Sequence, residues 1–371
     1  MKLFSLIITV ILSFSMCTQN ANWRGEKRDG HFHGKGLLKE WPDNGPEKIL
    51  MVEGIGRGHS SAIMANNTIY VTGMIDTLDY LSAIDLESKI KWQVPYGRSW
   101  IASYPETYSS PTLEGDRIYV FSGNGELACL NAQNGEINWK VNVDKDFESQ
   151  RRNWGVAESP LIVDDKVICT PCGNKTTVVA FNKITGDLEW KSESLNTEPS
   201  WTSSVLYEHK NFRFILAMTS EHLVAVDPET GEFKWVYLYI KPEWIKPLKK
   251  NNPYYNAYKN GLLISVLANT PIFKEDEIFI SMGYNYPSVM LKIDPSGQSV
   301  TEKWINHTLD THHGGFVKIG GFIYGSNWIN NVNGNWVCLN WVTGETLYEE
   351  TWRNKGSIIE ADGMLYCYEE K

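Results

Sequence analysis

The chain repeats itself, and that repeat limits the folds open to it more than any other feature does. Three copies of one half-unit are close to superimposable: Ala128-Cys-Leu-Asn-Ala-Gln-Asn-Gly-Glu-Ile-Asn-Trp139, Val179-Ala-Phe-Asn-Lys-Ile-Thr-Gly-Asp-Leu-Glu-Trp190 and Val224-Ala-Val-Asp-Pro-Glu-Thr-Gly-Glu-Phe-Lys-Trp235. Looser copies end at Trp92 and Trp304, the latter with three extra residues after Gly297, and a sixth ends at Tyr348. Each is preceded by a small-residue step and two apolar runs around an acidic or glycine turn, as in Ser61 to Val71 and Ser110 to Val120. The closing aromatics at 92, 139, 190, 235, 304 and 348 lie 47, 51, 45, 69 and 44 residues apart. Short alternating strands with frequent turns at a period near 45 describe a β-propeller blade of four antiparallel strands.

Local chemistry agrees. In the Asn/Asp-x-x-Thr-Gly segment, glycine supplies positive φ and the Asn or Asp side chain bonds the turn's own backbone. The aromatic four residues later falls on the outermost strand, where it buries a large area against the neighbouring blade. The fold expected is all-β, a propeller of seven blades, eight in a longer form. Residues 48–371 form the propeller, after a 17–47 extension. Lys48–Glu53 resembles an outer strand and is expected to complete the last blade, whose own third strand is missing after Ser357–Tyr368. The long interval holds a Pro-, Lys- and aromatic-rich stretch, about 238–262, read as an excursion between blades because its prolines exclude a regular helix or inner strand.

The first residues address the chain for export. Met1-Lys2 is followed by an apolar run from Leu3 to Ser15, too short to span a bilayer but matched to a secretory signal over residues 1–16. Cys17 then stands where a bacterial lipoprotein carries its lipidated cysteine, so a periplasmic or membrane-anchored protein is expected. The chain has 35 Lys plus Arg against 44 Asp plus Glu, a net charge of −9. That balance argues against a nucleic-acid partner, which needs a basic surplus. The remaining cysteines are scattered and do not make a disulfide framework; Cys169-Thr-Pro-Cys172 has CxxC spacing but no helix N-terminus to activate a thiol.

Aligning the repeats on their inner strands places a diverse set of residues just before each one. His59, Tyr108, Glu158, Trp201, Asn269, His312, His313 and Lys355 are therefore the candidate ligand-binding positions, facing one mouth of the central channel. Beside them runs a uniform column of Ser, Thr and Gly. No metal site is expected: adjacent histidines on a strand point to opposite faces, and neither His312-His313 nor His31-Phe32-His33 brings the three or four ligands an ion requires. Trp100, Tyr104, Trp154 and Trp244 have rings suited to stacking on sugars or peptides, or to packing between blades.

The Asp/Asn-x-x-Thr-Gly-x-x-x-Trp repeat resembles that of the pyrroloquinoline-quinone (PQQ)-like propeller superfamily, which includes quinoprotein alcohol dehydrogenases and the BamB-like envelope proteins. Trp23-Arg-Gly-Glu-Lys-Arg-Asp-Gly30, Thr311-His-His-Gly-Gly315 and Gly325-Ser-Asn-Trp328 resemble its exported BamB-like branch. The resemblance implies a non-catalytic scaffold binding a protein or glycan, without a cofactor. The alternative is a PQQ-dependent periplasmic dehydrogenase of alcohols or sugars. It would need PQQ in the channel, an Asp base, a Ca²⁺ site of Glu, Asn and Asp, and commonly a Cys-Cys pair that this chain lacks.

Overall fold

The computed structural model describes residues 20–149, 151, 154–244 and 266–370. Six four-stranded antiparallel sheets follow one another along the chain. Blade 1 holds Ile63–Ala65, Thr68–Ile75, Leu78–Ile84 and Ile90–Arg98. Blade 2 holds Thr112–Glu114, Arg117–Phe121, Glu126–Asn131 and Ile137–Asn142. Blade 3 holds Leu161–Val163, Lys166–Cys169, Val179–Asn182 and Leu188–Lys191. Blade 4 holds Val205–His209, Phe212–Met218, His222–Val226 and Phe233–Leu238. Blade 5 holds Ile272–Lys274, Glu277–Ile280, Ser288–Ile293 and Val300–Asn306. Blade 6 holds Phe316–Ile319, Phe322–Ser326, Trp336–Asn340 and Thr346–Glu350. Blade 7 has three strands, His31–Phe32, Gly356–Ala361 and Met364–Glu369.

The core lies between sheets. One apolar cluster fills each successive gap, from blades 1 and 2, joined by Leu81, Leu113 and Val120, through to blades 6 and 7, joined by Val317 and Ile358. In all six complete blades the ladder slips by one residue between the third and fourth strands, the extra residue lying directly before the closing aromatic: Cys129 faces Trp139, Ala180 faces Trp190 and Cys338 faces Tyr348. Such a bulge adds twist and re-aims the outer side chain, here towards the next blade.

The turns behave as their residues require. Asn131, Asn182, Asp227 and Asn340 each accept two turn N–H groups on the side-chain oxygen, for example Asn182 from Ile184 at 3.0 Å and Thr185 at 3.2 Å. The small-residue column is an inter-blade relay. The N–H of Ser61 donates to Ser110 Oγ, that of Ser110 to Ser159 Oγ, and that of Ser159 to Ser203 Oγ, at 2.8, 3.2 and 2.9 Å. The segments leading into the inner strands of blades 1 to 4 are thus hydrogen-bonded one to the next.

An N-terminal strand does join the last blade, but at a different place from the one expected. His31–Phe32 runs parallel to Gly356–Ala361 on its inner edge, pairing His31 with Glu360. Lys48–Glu53 forms no strand, and Ile49 is 86% exposed. An outer strand needs a third strand to pair with, and among the described residues blade 7 ends at its second. The signal segment, Cys17 and most of the 238–262 excursion lie outside the described residues; its start forms a short 3-10 turn at Pro242–Trp244.

Candidate functional site

The segment 20–32 lies along the axis. Ala21 and Leu113 exchange backbone hydrogen bonds at 3.0 and 2.9 Å, adding a bridge to the inner edge of blade 2. The chain then turns tightly: Arg28 N–H donates to Gly25 O and Gly30 N–H to Arg24 O. Gly30 has φ +85°, and a Cβ there would stand 2.7 Å from Val317 Cγ1, so the turn requires glycine.

This turn aims two guanidiniums at backbone carbonyls. Arg28, 2% exposed, donates to the carbonyls of Ser159 (2.9 Å), Ser204 (3.2 Å) and Pro160, and to Thr112 Oγ1 (3.2 Å). Those partners lie in, or directly before, the inner strands of blades 2, 3 and 4. Arg24 donates to Phe316 O at 2.8 Å and Ile358 O at 3.3 Å, in blades 6 and 7. Side chains that touch the inner edges of five blades occupy the axis itself. Arg24 also rests on Gly315, where a Cβ would come within 2.1 Å of Nη1. The Trp23–Gly30 and Thr311–Gly315 motifs, far apart in sequence, are therefore two halves of one contact. Burial pulls both guanidiniums down to about 10, and both remain cationic at neutral pH.

The predicted ring residues divide into two groups. His59 stacks on Tyr108 with centroids 5.9 Å apart, and its Nε2 meets Glu106 Oε2 at 2.6 Å. Tyr108 donates to Tyr104 O at 2.8 Å; Tyr104 approaches Trp154 at 6.4 Å, and Trp154 packs edge-on to Trp201 at 4.9 Å. An aromatic arc thus crosses the loops that enter blades 1 to 4. Opposite it, His312 Nδ1 lies 3.0 Å from His313 Nδ1, and Glu370 receives both His313 Nε2 at 2.9 Å and Lys355 Nζ at 2.6 Å. Tyr284 packs on His312 and on Trp328. Burial, with His313 and Lys355 beside it, lowers His312 to about 3, so its ring is neutral. Burial resists ionisation of Glu370, but His313 and Lys355 outweigh it and hold the carboxyl at about 2.

Glu158, Asn269 and Lys355 are turned inward, away from the exposed rim. Glu158 is 3% exposed; Oε2 accepts Thr170 N–H and Oε1 accepts Thr170 Oγ1–H, both at 2.9 Å. Burial pushes its carboxyl up to about 7, against the lowering pull of Thr170, Arg151 and Arg28. Asn269 donates to the carbonyls of Thr311 and His312 and accepts Gly315 N–H, binding blade 5 to blade 6. Cys169 and Cys172 are free, and burial pushes both thiols up.

The quinoprotein alternative can be tested against these groups. Among the described residues no three His, Cys, Asp or Glu side chains are grouped to hold a metal. Arg28 occupies the axis between blades 2, 3 and 4, Glu158 spends both oxygens on Thr170, and Asn269 spends its amide on backbone. This donor set does not fit PQQ with Ca²⁺.

Residues 77–350 match the family described as outer membrane protein assembly factor BamB. The chain belongs to that family. BamB from Moraxella catarrhalis is a similar solved structure, with a TM-score of 0.53 and 16% identity over 80% of this chain and 76% of that one. This BamB-family chain is also 24% identical over 210 residues to an uncharacterized protein of Rickettsia conorii, covering 54% of this chain and 43% of that protein. It is 25% identical over 135 residues to an uncharacterized protein of Rickettsia prowazekii, covering 34% and 29%. The chain spans less than half the length of these curated relatives. Among the described residues, no helix is long and apolar enough to cross a membrane.

Proposed function

We propose that this BamB-family propeller is an exported, non-catalytic scaffold of the cell envelope that takes a protein partner at its aromatic mouth. The observation that carries this reading is the filled axis. With Arg24 and Arg28 bonded to five blades, the surface left for recognition is the rim of entry loops, where Tyr104 is 69% exposed beside Trp154 and Trp201. Tyr and Trp are the residues most enriched where binding energy concentrates. Export rests on the apolar N-terminal run, and anchorage on Cys17.

A photo-crosslinking residue in place of Tyr104, in the native envelope, is expected to trap a discrete partner, whereas one at Ile184 on the far turn is not. Equal labelling from both sites, or none from Tyr104, discards the mouth. Stoichiometric binding of PQQ with Ca²⁺ and dye reduction by alcohols would replace this reading with the dehydrogenase. A labelled oligosaccharide captured in place of a protein would retain the mouth and change the partner class.

A further inference from the structure

Two histidines of the mouth, opposite the aromatic arc, meet nitrogen to nitrogen. His312 Nδ1 and His313 Nδ1 are 3.0 Å apart, with the rings nearly perpendicular at 77°. Two lone pairs repel at that separation, as do two N–H groups, so one Nδ1 carries a proton and the other accepts it. The far side of His313 fixes the rest. Its Nε2 lies 2.9 Å from Glu370 Oε1, and Lys355 Nζ, 2.6 and 2.7 Å from the two carboxylate oxygens, keeps Glu370 ionised. A carboxylate only accepts, so His313 Nε2 holds an N–H in both charge states of the ring.

Neutral His313 has therefore spent its one proton on Glu370. Its Nδ1 is a lone pair, His312 Nδ1–H donates to it, and His312 Nε2 is left as a bare acceptor. In cationic His313 the Nδ1 is protonated as well and donates to His312 Nδ1. His312 stays neutral, through burial and the positive charges of His313 and Lys355, and so carries its proton on Nε2. That Nε2 has no partner among the described residues and is not sealed from solvent. Charge and protons balance in the change: a solvent proton binds His312 Nε2 while the Nδ1 proton crosses to His313, and no heavy atom has to move. The other groups facing the pair are the Tyr284 ring of blade 5, 4.9 Å from that of His312, and Asp310, committed to the N–H groups of Asn285 and Trp328.

We propose that His312 Nε2 is a proton-switched contact of the mouth: it accepts from an N–H or O–H while His313 is neutral, and donates to a carbonyl or carboxylate once His313 is protonated. The switch is a property of this chain alone; its use on a partner rests on the mouth being the binding surface.

Nitrogen-15 histidine spectra of the purified chain, recorded from about pH 8 to about pH 5, read the protonated nitrogen of each ring. His312 is expected to exchange an Nδ1 proton for an Nε2 proton over the same interval in which His313 becomes doubly protonated, and to remain neutral throughout. In His313→Phe, which keeps a ring in place, the exchange is expected to vanish. In Glu370→Gln, whose amide satisfies either form of His313, His312 is expected to show both tautomers at the neutral end. A His312 that keeps one proton position while His313 titrates, that becomes an imidazolium in this interval, or that still exchanges in His313→Phe overturns the proposal. These spectra need no partner, so failure of the Tyr104 crosslink removes the binding mouth and leaves the switch standing.

Discussion

Gly186 sits on the indole of Trp139: a Cβ at this glycine would stand 2.7 Å from ring atom Cδ2, and the ring's Nε1–H donates to Lys183 O in the same turn at 3.1 Å. Trp190 repeats the arrangement with Gly231 and Pro228 O, and Trp304 with Gly344 and Trp341 O. Each closing tryptophan of this kind is thereby fastened to the turn of the following blade. Gly186→Ala meets both a φ of +77° and the ring, so a loss of about 2–4 kcal/mol is expected in urea unfolding. Gly320→Ala, at positive φ with nothing within 4 Å, is expected to lose about 1 kcal/mol.

Truncating the ring itself removes both packing and a hydrogen bond. Trp139→Ala is expected to cost about 3–5 kcal/mol. Tyr348 is 40% exposed, and among the described residues blade 7 offers no third-to-fourth-strand turn to receive it. Tyr348→Ala is expected to cost about 0.5 kcal/mol, and comparative thermal unfolding of the two variants checks the contrast.

Arg28→Met retains an apolar stem but leaves the carbonyls of Ser159, Pro160 and Ser204 without their donor. A loss of about 3–5 kcal/mol is expected, with Arg28→Lys intermediate because an ammonium cannot reproduce the planar fork. Amide exchange at Ala21 and Leu113 reads the same event locally, since their mutual hydrogen bonds open when the axial segment leaves.

Glu158 makes stability depend on pH in an unusual direction for a carboxylate. Its value rises from 4.5 to about 7 on folding, chiefly through burial. Below pH 4.5 both states hold the proton and nothing is lost. As pH climbs from 4.5 to 7 the unfolded chain ionises first, so stability falls, by on the order of 3 kcal/mol in total. Glu158→Gln is therefore expected to be more stable than the parent at pH 8 and to lose that advantage below about pH 5. Urea melts across this range test it; a constant difference would contradict the assignment.

Much of this molecule is legible in its repeats, for physical reasons. The Asn-x-x-Thr-Gly turn and the aromatic four residues later act within one blade and its neighbour, so Trp139, Trp190 and Asn182 declare their roles at short range. The serine column is equally visible, because Ser110 and Ser159 perform one task at equivalent places. The axis is not. Arg24 and Arg28 sit in the Trp23–Gly30 segment, which carries a family resemblance but no periodicity, and nothing local announces carbonyl partners more than 130 residues away. Of the aligned positions, His59 stacks on Tyr108, whereas Glu158 and Asn269 turn inward because Thr170 and the carbonyls of Thr311 and His312 satisfy them there. Lys48–Glu53 carried a strand-like pattern without a neighbouring strand to pair with.

The contact between Arg24 and Ile358 joins residues 334 positions apart. The arginine is synthesised 334 residues before its acceptor, so the hub cannot be assembled until that acceptor has been made. Such long-range closure slows folding and leaves half-built sheets exposed in the meantime. Delivery across a membrane in an unfolded form would postpone that hazard until the whole polypeptide is present.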